Sequence, residues 1–124
     1  MLSIEETEKM LDEIAVGFPP EIFQELNGGI ILLPEAKRNP AGYNLYILGE
    51  YTSGGSLGRY ISIFYGSFAS VYGHLDTEQL REKLVHTLKH EFTHHVESLA
   101  GEKGLEIKDA EFLADYLRKH NKPE

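Results

Sequence analysis

His90-Glu91-Phe92-Thr93-His94 is a spacing that can do chemistry. On a helix, residues four apart lie one above the other on the same face, so the imidazoles of His90 and His94 can converge on one ion. Glu91 then stands about 100° round the helix from His90 and about 60° from His94, beside the ion and not on it. From there its carboxylate can take a proton from water activated by a metal. The chain has no Cys, which excludes thiolate ligands, disulfides and Cys nucleophiles, so any zinc must be held by His, Asp or Glu. The expectation is a Zn2+ cofactor on His90 and His94, with Glu91 as general base for hydrolysis.

The elements that must position this set can be read outward from it. Asp76 and Gln79 have capping-box spacing, and Leu80, Leu84, Val85, Leu88, Phe92, Val96 and Leu99 form one apolar arc, which predicts a long helix ending at a Gly101 cap. His86, His90, His94 and Glu97 fall on another side of that helix. His95 lies within the arc, where packing against a sheet or orienting a neighbour is expected, not metal binding. Upstream, Ser3 and Glu6 have capping-box spacing, and Ile4, Leu11, Ile14 and Ala15 recur at helical intervals, giving a first helix from Ser3 to Ala15 that Gly17 and Pro19-Pro20 end. Ile22 to Leu26 reads as a short helix or turn, Ile30 to Leu33 as a buried strand, and 34–42 as loop. Tyr43 to Tyr51 and Arg59 to Phe68 alternate as two strands of a long-looped hairpin around Thr52-Ser53-Gly54-Gly55-Ser56. After Gly101 to Gly104 reverses the chain, Asp109 opens a last amphipathic helix through Arg118. No internal repeat and no low-complexity segment is visible.

A catalytic zinc needs a third protein ligand and keeps one position for water. Glu97 stands where a metzincin has Gly and Ala100 where it has its third His, and both Met residues, Met1 and Met10, precede the motif, so no Met-turn follows it. Four acids remain. Glu97 is about 10 Å along the helix axis from His90, a long reach for one ion. Glu102 and Asp109 lie in or just after the reversal. Glu111-Phe-Leu-Ala-Asp115 has the form of a gluzincin ligand with its orienting aspartate, although Asp109 also suits an N-cap and Glu111 a first helical turn.

The segments Gly58-Arg-Tyr-Ile-Ser-Ile-Phe-Tyr-Gly-Ser-Phe68 and His90-Glu-Phe-Thr-His-His-Val-Glu-Ser-Leu-Ala-Gly101, with the doubled His94-His95, resemble a family of small bacterial zincin-like metallopeptidases. That family was once grouped as a domain of unknown function and is described as a minimal metzincin-like domain. The resemblance covers most of the chain. Shorter members continue as HExxHxxGxxD with an aspartate as third ligand, and it is this that implies Asp109, in Ile107-Lys108-Asp109 after an insertion spanning Ser98 to Leu105. The resemblance implies a peptidase and names no substrate.

Length and charge bound the rest. A chain of 124 residues is expected to be one domain, 1–124, able to bury a core without staples. A net charge of -8 with 12 scattered basic residues argues against nucleic acid and against an anionic membrane surface. The acidic start, Met-Leu-Ser-Ile-Glu-Glu, does not read as a signal peptide, and the longest apolar runs are too short to span a bilayer. The expected protein is cytoplasmic and α+β: a small twisted sheet of about three strands packed on the long HExxH helix, with flanking N- and C-terminal helices (zincin-like). Its expected activity is zinc-dependent peptide-bond hydrolysis on a peptide or protein substrate. A substrate strand would add to a sheet edge, taken to be Arg59 to Tyr65. Tyr60, Tyr65 and Tyr116 could stabilise an oxyanion, but seven Tyr residues mostly serve packing and none is assigned that role. The alternatives are a non-catalytic binding module that a metal staples together, and a zinc hydrolase acting on RNA.

Overall fold

A computed structural model describes residues 1–102 and 115–117 of the chain. Helix α1, Ile4–Val16, starts at Ser3, whose hydroxyl accepts from the Glu6 N–H while the Glu6 carboxylate accepts from the Ser3 N–H. Thr7, Met10, Leu11 and Ile14 are its buried side. A short 3-10 turn, Pro20–Phe23, follows and buries Ile22.

The sheet has three strands in the order β1-β5-β4: β1 (Gly29–Leu33) runs parallel to β5 (Tyr60–Phe64), and β4 (Gly49–Thr52) runs antiparallel to it. The strand expected over Tyr43 to Tyr51 is divided. Its first part, β3 (Tyr46–Ile47), pairs with β2 (Lys37–Arg38) in a separate ribbon, so the loop expected over 34–42 contains a strand. The second hairpin strand is also shorter than its alternation suggested, since helix α2, Tyr65–Tyr72, begins directly after Phe64. Gly66 permits this turn: its N–H donates to Glu35 C=O at 3.0 Å, and a Cβ there would lie 2.5 Å from the Ala36 backbone nitrogen.

Helix α3, Thr77–Glu102, carries the motif. Asp76 and Gln79 exchange reciprocal hydrogen bonds at its start, at 2.8 and 3.2 Å. The helix does not stop at Gly101, which is itself helical and, with open space around it, costs only the ~1 kcal/mol of an exposed helical Gly. Leu80, Leu84, Leu88, Phe92, Val96 and Leu99 are all buried, with Phe92 meeting Phe18 and Phe23 edge-on at ring centroid distances of 5.4 and 5.2 Å. This arc joins Ile61 and Ile63 of β5 and the buried side of α1 in one core. The architecture is therefore α+β, a three-stranded sheet packed on the long HExxH helix. The expected C-terminal helix lies mostly outside the described residues, of which Asp115 to Leu117 are helical. Among the described residues no helix is long and apolar enough to cross a membrane.

Candidate metal centre

The site is built where α3 crosses β4. Strand alternation fixes which side of β4 meets the helix: Gly49 and Tyr51 share one face with their partners Ile63 and Ile61, and Glu50 and Thr52 share the other. On the helix, Thr87, Glu91 and His95 form a stripe four residues apart. Thr87 packs so close to Gly49 that a Cβ on Gly49 would lie 2.9 Å from its Cγ2, and His95 bonds Tyr51. Glu91 lies between these two contacts, over β4.

His90 and His94 stand on the solvent side of the same crossing, both exposed. Their rings are edge-on, with Nε2 of one 3.3 Å from Nε2 of the other. Two nitrogens that each lie about 2.0–2.1 Å from a tetrahedral ion are about 3.3–3.4 Å apart, so the pair has the spacing of two zinc ligands. Nδ1 of His94 faces Glu97 Oε1 at 3.7 Å. Glu97 is thus on the far nitrogen of His94. In this arrangement its carboxylate lies away from the point where the two Nε2 atoms converge.

Glu91 is 5% exposed, and among the described residues its carboxylate accepts no hydrogen bond. Desolvation pushes its pKa above the ordinary carboxylate value; His94 opposes this, and the charge of Glu50 adds to it. Glu50 itself is paired with Lys37 at 2.8 Å on the other face of the sheet. Glu91 is thus an acid with a raised pKa on the turn of helix that carries two imidazoles.

His95 is fully buried. Its Nε2 is 2.8 Å from Gln24 C=O, which can only accept, so that nitrogen carries the proton and Nδ1 accepts from the Tyr51 hydroxyl at 2.8 Å. Burial lowers its pKa, the Gln24 bond opposes this, and Arg59 adds to the lowering. An Arg59 N–H donates to the Tyr51 oxygen at 3.1 Å, and another contact joins Arg59 to Ser98 Oγ.

Among solved structures, a conserved hypothetical protein from T. thermophilus matches with a TM-score of 0.69 at 32% identity, over 80% of this chain and 98% of its own length. The chain belongs to the family of that protein. No family model matches the sequence, and no curated protein matches it.

In this family member the described fold brings together His90, His94 and Glu91, with Glu97 beside them. Among the described residues no group of three or more His, Asp or Glu is placed to hold one ion. Asp109 and Glu111, and the side chain of Glu102, lie outside the described residues. The tyrosines named from sequence are engaged elsewhere. Tyr65 donates to Leu2 C=O, Tyr116 lies 5.6 Å from the buried Lys89 ammonium, and Tyr60 alternates to the face of β5 away from α3. Tyr51, Arg59 and Ser98 were missed. Nothing local marks Tyr51 and Arg59, because they are brought to His95 only by the β4–β5 hairpin closing against α3, and Ser98, on α3 itself, is singled out only by its contact with Arg59.

Proposed function

We propose that this chain is a zinc-dependent metallopeptidase, a cytoplasmic hydrolase in which His90 and His94 hold the metal, Asp109 completes its ligands and Glu91 is the general base. The observation that carries the reading is the 3.3 Å separation of the two Nε2 atoms with a buried carboxylate next to them. Zinc, when bound in such a set, lowers the pKa of water toward 7 and polarises the substrate carbonyl. Glu91 accepts the proton of the attacking water as the C–O bond forms, and returns it to the amine nitrogen as the C–N bond breaks. Its raised pKa suits both halves of that transfer. Glu97 steadies His94 through Nδ1.

The substrate edge differs from the one the sequence suggested. The strand at Arg59 to Tyr65 is the centre of the sheet, flanked on both sides, and β4 is the edge beside the helix. The Phe64 N–H donates to Leu48 C=O at 3.0 Å, which sets the ladder so that Leu48, Glu50 and Thr52 bond β5. The N–H and C=O of Gly49 and Tyr51 therefore face outward, and among the described residues no strand pairs with them. An extended peptide adding there would run alongside His90 and His94.

The test is metal content followed by turnover. Purified protein should hold about one zinc, which His90→Ala or His94→Ala removes, while Glu91→Gln retains zinc and abolishes peptide hydrolysis. Equal zinc in wild type and both His variants would sink the reading. Metal loss in Glu111→Ala but not in Asp109→Ala would move the third ligand to Glu111.

A further inference from the structure

The Gln24–His95–Tyr51–Arg59 chain is a polar network at one of the two places where the HExxH helix meets the substrate-side strand, the other being Thr87 against Gly49. All its hydrogen bonds have one consistent direction: Arg59 N–H to Tyr51 oxygen, Tyr51 O–H to His95 Nδ1, and His95 Nε2–H to Gln24 C=O. It ties together the turn after Phe23, helix α3, strand β4 and the residue that precedes β5. Arg59 adds a second hold on α3 at Ser98, three residues beyond His95. For stability alone, an apolar pair of similar volume would serve as well or better in a buried position. What a directional network adds is a fixed geometry.

Two features say which geometry is fixed. His95 follows His94 directly, so its ring sets the rotation of α3 one residue from a candidate ligand. Tyr51 is, with Gly49, one of the two β4 residues whose backbone N–H and C=O face outward, so its anchored ring sets the height of that edge.

We propose that Tyr51 and His95 are positioning residues: their hydrogen bond holds the outward backbone of β4 in register with His90, Glu91 and His94, so that a bound peptide carbonyl arrives within reach of the base. The inference rests on the metallopeptidase reading. Neither side chain touches the reacting atoms, and the network acts through the strand and the helix.

The experiment uses Tyr51→Phe, which keeps the ring and deletes the bridging hydroxyl, and His95→Gln, whose amide can still donate to Gln24 C=O while losing Tyr51. Zinc-loaded proteins are assayed on a mixture of internally quenched fluorescent peptides, well below each melting temperature. In parallel, amide hydrogen exchange of β4 is measured on the metal-free proteins. Misplacement of reacting groups by a fraction of an ångström lowers kcat about ten- to hundred-fold, and KM should stay within about two-fold because the edge itself remains. Zinc stoichiometry should be unchanged. The amides of Glu50 and Thr52, which bond β5, should exchange faster in Tyr51→Phe. The double variant should be no slower than the worse single variant, since both break the same bond.

Wild-type protein with no hydrolysis that Glu91→Gln abolishes sinks the metallopeptidase reading, and this inference with it. An active wild type with kcat unchanged in folded Tyr51→Phe overturns the inference alone, as does unchanged exchange in β4. If His95→Gln does not fold, Tyr51→Phe decides.

Discussion

At the scale of single residues, Glu91 is held in a state that disfavours its charge. The residue is buried, and desolvation raises its pKa above the ordinary value of 4.5. The consequence for metal-free protein follows from linkage. The folded state binds the proton more tightly than the unfolded state, so the buried carboxylate costs stability at every pH above the raised pKa, and the cost disappears as pH falls below 4.5. Glu91→Gln should therefore melt higher than wild type at pH 8 in the presence of a chelator, each unit of pKa elevation being worth about 1.4 kcal/mol. The two proteins should converge near pH 4. Melting curves in which the difference is constant with pH would remove the desolvated carboxylate from the account. The identity of this residue and of its two His neighbours was legible in the sequence, because their spacing is fixed by the helix that contains them. The burial of Glu91 was not, since it depends on β4 arriving from about 40 residues upstream. Tyr51 and Arg59 were invisible for the same reason, and Ser98, on the same helix, because its partner Arg59 comes from 39 residues upstream.

At the scale of elements, α1 and the start of α3 were readable because a capping box is a local device, and Ser3/Glu6 and Asp76/Gln79 both make their reciprocal bonds. The apolar arc of α3 was readable because its period matches the helix: of its seven residues from Leu80 to Leu99, six are buried and Val85 is half-buried against the core. Alternation misled from Tyr65 onward: Tyr65, Ser67 and Phe68 fit a strand pattern, yet Gly66 lets the chain turn into α2 against the Glu35–Ala36 backbone. The pairing partner of β1 was also unreadable, since a parallel pair is set by a long crossover and not by a turn. The closeness of β4 to α3 has a testable residue. A Cβ on Gly49 would lie 2.9 Å from Thr87 Cγ2 and 3.2 Å from Ile63 Cδ1. Gly49→Ala should thus cost about 1–3 kcal/mol in urea unfolding, as overpacking does. Thr87→Ser removes the methyl and should restore most of that loss in the double variant. A double variant as unstable as the sum of the singles would place the crowding elsewhere.

At the scale of the whole molecule, the question is whether a metal would hold the fold together or only use it. The core joins α1, the sheet and α3 through Leu11, Ile14, Ile61, Ile63, Leu84, Leu88 and Phe92, and neither His90 nor His94 belongs to it. Both are exposed, on the opposite side of α3 from Phe92's contacts with Phe18 and Phe23. A stapling metal replaces a core in chains too small to build one, and withdrawing it unfolds them. Here the metal-free chain should remain folded and melt cooperatively in excess chelator at 25 °C. Zinc at a hundred times its dissociation constant should add about 2.7 kcal/mol, roughly 10 °C in a chain of this size, because it binds only the folded state. Glu91→Gln should keep that increment and His90→Ala should lose it, while both fold without metal. Calorimetry with and without chelator reads all of this. Collapse of the wild type on chelation would instead favour a non-catalytic module stapled by its metal, with the zinc ligands acting as the missing part of the core.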